Sequence, residues 1–190
     1  VPAGSTVLDV GCGIGGTSRF LAKERGCDVT GVTISGRQVE IARKLSSEVP
    51  GATVDGEDAK VTLGDGAVRF LELDAEKMGA FFTAASFDCV WISEAMSHLP
   101  NKELFFRNAA LLLKPGGKLV VADWFKAEGL SEKQMDADIK PIEGKHALFP
   151  CTDDSDPRKT GCYSLRSVAK PTTSNLRTRL AWTSSRSRLT

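Results

Sequence analysis

The stretch that decides the fold runs from Val7 to Gly16 and reads VLDVGCGIGG. Val7, Leu8 and Val10 form a short apolar run interrupted only by Asp9, and Gly11, Gly13, Gly15 and Gly16 follow at once. An apolar run that ends in such a loop, with a helical pattern behind it, reads as a strand, a tight turn and a helix N-terminus. Glycine has no Cβ, so the loop can take positive φ and let a ligand approach the main chain closely. The free N–H groups and positive dipole end of the next helix add a place for an anion or polar ligand. The element is a nucleotide-type cofactor loop.

The glycines alone leave the cofactor open. Gly11, Gly13 and Gly16 satisfy the dinucleotide spacing G-x-G-x-x-G, while Gly11, Gly13 and Gly15 satisfy G-x-G-x-G. Asp9 weighs on the choice, because a carboxylate two residues before the first glycine suits a cationic ligand and repels a pyrophosphate. S-adenosylmethionine carries an ammonium and a sulfonium, whereas NAD carries two phosphates. The run resembles motif I, D-h-G-x-G-x-G, of the class I S-adenosylmethionine-dependent methyltransferases. An NAD(P)-binding domain is the competing reading, and a cofactor-binding remnant without a complete substrate site is a third.

Outward from the loop, residues 17–24 read as a helix with Phe20 and Leu21 toward the core and Gly26 as C-cap. CDVTGVTIS, Cys27 to Ser35, is rich in β-branched residues and reads as a second strand. Ser35 and Gln38 have capping-box spacing and open a helix with Val39, Ala42 and Leu45 on one side. Residues 50–66 read as polar loop with a fragment of helix. AVRFLELD (67–74) is a third strand, and FDCVWIS (87–93) a fourth, covered on both faces, with Trp91 in the core. A helix over 101–113 stops at KPGG before a fifth strand, KLVVADWF (118–125). Ser131 to Gln134 is a second capping box, opening a helix that Pro141 ends. Strands alternating with helices imply an α/β fold, a doubly wound, Rossmann-like parallel sheet.

The 190 residues, 41% hydrophobic and 26% charged, fit one globular domain with a sizeable core. There is no apolar run of membrane-spanning length and no signal-peptide pattern. The five cysteines, Cys12, Cys27, Cys89, Cys151 and Cys162, show no C-x-x-C pairing, which points to free thiols in a reducing, cytoplasmic setting and to no metal site. Val1 leads almost directly into the first strand, so the chain reads as a fragment or domain. Through Asp156 it has 17 basic against 24 acidic residues, whereas the last 34 have eight basic, no acidic and twelve Ser or Thr. The expected division is a cofactor-binding core over 1–126, a helix within 127–145, and a basic, disordered tail over 146–190. That tail has little interleaving of aromatic and basic residues, which argues against a nucleic-acid partner. Its composition suggests translation out of the ancestral frame from about His146. Read one nucleotide earlier, Lys170–Thr190 can encode TDYVKLANEAGLDVFKEPLD, a helical pattern and then a strand. A sheet of this class should add both after its fifth strand, so its C-terminal edge is expected to be incomplete.

The resemblance to class I methyltransferases extends over about Val7 to Phe125. It is closest to the branch of gamma-tocopherol and sterol side-chain methyltransferases and cyclopropane-fatty-acid synthases, through DVGCGIGG, GVTIS with Gln38, FLELDAE, SEAMSHL and LLKPGG. It implies S-adenosyl-L-methionine as cofactor and a small, lipophilic acceptor. Ligands of open α/β sheets sit beyond the carboxyl ends of the strands. The resemblance then implies cofactor contacts from Asp9, Gly11, Cys12, Gly13, Gly15 and Ser93. The usual ribose-binding acid after the second strand is missing, and Thr33 with Gln38 would take its place. For Gln38 the alternative is the capping box, and both can hold. Asp74 would accept from the adenine amino group, and Ala75 would offer its N–H. Glu94 and His98 follow the fourth strand where cofactor and acceptor meet, with His98 a general base or a structural histidine. The cyclopropane synthases have an acid before that histidine, and here it is Ser97. Met96 lines a substrate pocket or simply packs, and Trp124 and Phe125 could face the substrate. Asp9 could instead brace the loop, and Cys12, without a base, is no nucleophile.

Overall fold

The computed structural model describes residues 1–56, 59–123, 125–127, 131–134, 136–137, 149–151, 163–165 and 182–184. Five parallel strands form its centre: β1 (Thr6–Val10), β2 (Asp28–Thr33), β5 (Gly66–Glu72), β6 (Phe87–Ser93) and β7 (Leu113–Ala122). Two further strands, β3 (Thr53–Asp55) and β4 (Lys60–Leu63), precede β5, and the sheet order from the C-terminal side is β7-β6-β1-β2-β5-β4-β3. β1 therefore lies between its successor β2 and the later strand β6, the reversal of order that defines a doubly wound sheet.

Each strand sends successive side chains to opposite faces of the sheet, and both faces are covered. Val7, Val29, Val68 and Cys89 pack on one side under α1 (Gly16–Arg25) and α2 (Gly36–Ser47). Leu8, Val10, Val32, Val90 and Ile92 pack on the other with Phe105, Ala109 and Leu112. Those three belong to α4 (Lys102–Leu112), which follows the short α3 (Met78–Phe81). The helix ends obey local chemistry. Gly26 closes α1 in the left-handed region at φ 61°, and the Asn101 side chain caps α4 by accepting from Leu104 N at 2.9 Å.

Four expectations need correction. Residues 53–63 form the β3–β4 hairpin rather than loop or helix, and β4 adds antiparallel to β5 with Val61 and Leu63 buried. Phe20 is 58% exposed, because the buried stripe of α1 is Ser18, Leu21 and Ala22 and Phe20 falls beside it. Trp91 is only half-buried, at the edge of the cluster under α1 and α2. The fifth parallel strand begins at Leu113, not Lys118, so α4 runs into β7 without a loop. Lys114 anchors that entry: its Nζ lies 2.9 Å from Asp88 Oδ2, which also accepts from Thr6 N at 2.8 Å.

Beyond β7 lie β8 (Phe125–Ala127), α5 (Glu132–Gln134), β9 (Phe149–Cys151), β10 (Tyr163–Leu165) and β11 (Trp182–Ser184). β8 pairs parallel with β9, while β10 and β11 extend the β7 edge antiparallel. Trp124, Pro141 and most of the 146–190 tail lie outside the described residues.

Candidate active site

Where β1, β2, β5 and β6 end, the chain leaves a cleft of about 550 Å³. Of the residues expected to bind cofactor or act in catalysis, Gly11, Gly13, Thr33, Gln38, Asp74, Ala75, Glu94 and His98 line it. The site was assembled from four strand ends that are far apart in sequence. Asp9, Cys12, Gly15 and Ser93, expected beside them, are not part of the lining.

Each glycine of the loop has its own reason. Gly11 N and Cys12 N both donate to Val32 O, at 2.9 and 3.0 Å, which ties the loop to the end of β2. A Cβ on Gly11 would collide with that of Ala95. Gly13, at φ 54°, is different: a Cβ there would meet no protein atom within 4 Å and would project into open space. Gly15 is buried, and a Cβ on it would strike the Phe70 ring, so its role is packing at the start of α1.

Strand alternation turns Asp9 away from the cleft. Like Val7 it faces α1, where it is 2% exposed and accepts from Ser18 Oγ at 2.6 Å. Burial lifts its pKa to about 6, although hydrogen bonds from the Ser18 hydroxyl and main chain pull the other way. Cys12 lies beneath the loop, where burial and the Asp9 charge push its thiol up to about 12. At neutral pH it holds its proton and is no nucleophile. Ser93 is half-buried at the end of β6, opposite Ala122 of β7.

At the end of β2 the Thr33 hydroxyl donates to Gln38 Oε1 at 2.6 Å, while Ser35 Oγ accepts from Gln38 N at 3.3 Å. Ser35 therefore caps α2, but the Gln38 side chain does not close the box and turns to Thr33 instead. The pair is uncharged and offers an amide donor and hydroxyl lone pairs. After β5, Asp74 Oδ1 accepts from Glu76 N at 2.9 Å and caps a single 3-10 turn, Ala75–Lys77. Ile34, 74% exposed, and Leu73 supply apolar walls that the sequence reading did not single out. Leu99, Pro100 and Glu76 complete the rim beside His98.

The segment after β6 has an unusual backbone. Glu94 sits at φ 52°, a left-handed conformation that costs a non-glycine residue about 1–3 kcal/mol. Its N–H donates to Ala122 O at 2.7 Å, and Met96 N donates to Asp123 Oδ2 at 2.9 Å. Met96 is 1% exposed and packs in the core rather than lining the cleft. His98 ends a second 3-10 turn, Met96–His98, and is exposed at the cleft. Asp123 was overlooked, although its place after the apolar run of β7 is a strand-end position of the kind that marked the other site residues.

Residues 8–121 match the model of a family described as a methyltransferase domain. The chain is 46% identical over 124 residues to the 2-methyl-6-phytyl-1,4-hydroquinone methyltransferase of Synechocystis sp., covering 65% of this chain and 33% of that one. It is 33% identical over 132 residues to the sterol 24-C-methyltransferase of Eremothecium gossypii, covering 70% and 31%. Among solved structures, a phosphoethanolamine N-methyltransferase of Haemonchus contortus with S-adenosylhomocysteine bound matches at TM-score 0.59 and 26% identity, over 78% of this chain and 30% of that one. The chain thus spans about a third of the length of these curated relatives.

Proposed function

The chain belongs to the methyltransferase-domain family, and from that premise we propose that it binds S-adenosyl-L-methionine and transfers the methyl group to a small, lipophilic acceptor. The observation behind this is the meeting, in one cleft, of Gly13, the Thr33–Gln38 pair, Asp74, Glu94 and His98. The named activities of the hydroquinone and sterol relatives support a lipophilic acceptor.

The residues fit the cofactor. The space that a Cβ on Gly13 would take is open, so an aminoacyl moiety can lie against the loop. Thr33 and Gln38 suit a ribose diol, accepting from one hydroxyl and donating to the other. Asp74 offers a carboxylate oxygen to the adenine amino group and Ala75 its N–H, with Ile34 and Leu73 as apolar walls. Asp9 acts from behind the loop: its carboxylate favours a cationic ligand without touching it, and its bond to Ser18 steadies the start of α1.

When bound, the cofactor supplies an already activated methyl sulfonium, so the protein contributes mainly orientation and exclusion of water. Glu94 and His98 stand on the acceptor side. In this reading His98 takes the acceptor proton where a hydroxyl or amine must lose one, and Glu94 orients the imidazole or acceptor. Cys27 and Cys89 are free thiols buried in the core. Among the described residues no helix is long and apolar enough to cross a membrane. Transfer of radiolabelled methyl groups to a panel of prenylated quinols, sterols and amines tests the proposal. Incorporation into a quinol or sterol supports it, and incorporation into none of the panel contradicts it.

A further inference from the structure

We propose that the end of β7 is a clamp on the catalytic segment and that Asp123 is a positioning residue for Glu94 and His98. The inference rests on the methyl-transfer reading for its kinetic half only. Ala122, the last residue of β7, and Asp123, which follows it, reach across to the stretch that follows β6. The Ala122 carbonyl takes the Glu94 N–H at 2.7 Å, and the Asp123 carboxylate takes the Met96 N–H at 2.9 Å. Between these bonds lies the strained part of the segment, with Glu94 at φ 52°.

A left-handed glutamate persists only when its surroundings over-determine it. One bond holds its own amide, and the other holds the amide two residues on, so the chain between them cannot relax toward an extended path. Met96 seals the arrangement, since its side chain is 1% exposed in the core and its N–H lies out of reach of water. Asp123, 3% exposed, brings a charged acceptor to that N–H, the stronger kind of hydrogen bond. The 3-10 turn that starts at Met96 ends at His98, and His98 N donates back to Ala95 O at 3.2 Å. The position of His98 at the cleft is thus set through Met96, and that of Met96 through Asp123. Asp123 does not line the cleft, so its effect on the reaction is indirect.

The test compares Asp123→Asn, which keeps an acceptor of the same shape, with Asp123→Leu, which removes it. Amide exchange of the full chain without cofactor reads the clamp independently of any activity. The Met96 N–H should exchange about tenfold or more faster in the leucine variant and stay within about threefold of the parent in the asparagine variant. In parents that turn over an acceptor, the leucine variant should lose about tenfold or more in kcat while its Kd for S-adenosylhomocysteine stays within about threefold, and asparagine should rescue kcat. Should Asp123→Leu fail to fold, the double variant Glu94→Gly/Asp123→Leu should fold, because glycine needs no clamp to hold a positive φ. Unchanged Met96 protection in the leucine variant, or equal damage from asparagine and leucine, overturns the clamp. A parent that binds no cofactor contradicts the methyl-transfer reading and leaves the exchange result to decide the clamp.

Discussion

Asp9 sets the stability of this fold against its cofactor loop, and the size of the conflict follows from its burial. The carboxyl is 2% exposed, and its pKa rises from 3.8 to about 6. That rise corresponds to about 3 kcal/mol at 1.36 kcal/mol per pH unit. The direction is fixed by proton binding. Between pH 3.8 and about 6 the native chain holds a proton that the unfolded chain has released. Stability contributed by Asp9 is therefore full below that window and is lost as pH rises through it. Urea unfolding from pH 4 to 8, on the parent and on Asp9→Asn, isolates this site, since all other titrations cancel in the difference. Asparagine can still accept from Ser18 but does not ionise, and any fixed cost of its buried amide is independent of pH. The variant should gain on the parent by about 2 kcal/mol between pH 4 and pH 7, or about 4–8 °C in Tm at this chain length. A difference that stays flat with pH would refute the reasoning. So would a parent that gains on the variant as pH rises, which would mean that the Ser18 bonds outweigh burial.

Replacing Gly13 by Val puts a branched side chain into the open space of the cleft and should abolish measurable S-adenosylhomocysteine binding; calorimetry showing parental affinity would remove the loop from the site. Asp74→Ala should weaken the same ligand by about 0.5–1.5 kcal/mol. It should also loosen the turn at Glu76, so Asp74→Asn serves as the control that keeps an acceptor for that cap, and an unchanged Kd in the alanine variant would exclude Asp74. His98→Ala should lower kcat by about a hundredfold with cofactor affinity retained, whereas equal losses in turnover and affinity would assign His98 to structure. For the tail, the proposed change of frame expects genomic codons over 170–190 that encode TDYVKLANEAGLDVFKEPLD one nucleotide earlier, and codons unable to do so would end that idea.

Much of this was legible because strand ends and caps are local. FDCVWIS gave β6 its bounds of Phe87–Ser93, and the glycine after Arg25 marked the end of α1. The β3–β4 hairpin was not legible. Thr53, Val54 and Asp55 are all exposed, so β3 has no buried face to impose an alternation of apolar and polar residues. Spacing left Asp9 between a ligand contact and a brace for the loop, because it says how near a residue stands to the loop but not which face it takes. Its alternation with Leu8 and Val10 contained that answer. The lining of the cleft was read from strand ends, yet Ile34 and Leu73 escaped because an apolar residue in a loop carries no chemical signature. The left-handed turn at Glu94 and the reach of Asp123 to Met96, 27 residues apart along the chain, depend on contacts between the segments that follow β6 and end β7, and no local pattern encodes them.

The central claim is that the cleft beyond β1, β2, β5 and β6 holds an adenosyl sulfonium cofactor. Calorimetric titration of the chain with S-adenosylhomocysteine tests it most directly, with NADH titrated in parallel. The account predicts saturable binding at one site per chain, lost in Gly13→Val, displaced by S-adenosylmethionine, and no heat from NADH. Binding of NADH at that site, or no binding of S-adenosylhomocysteine by the folded chain, would contradict it.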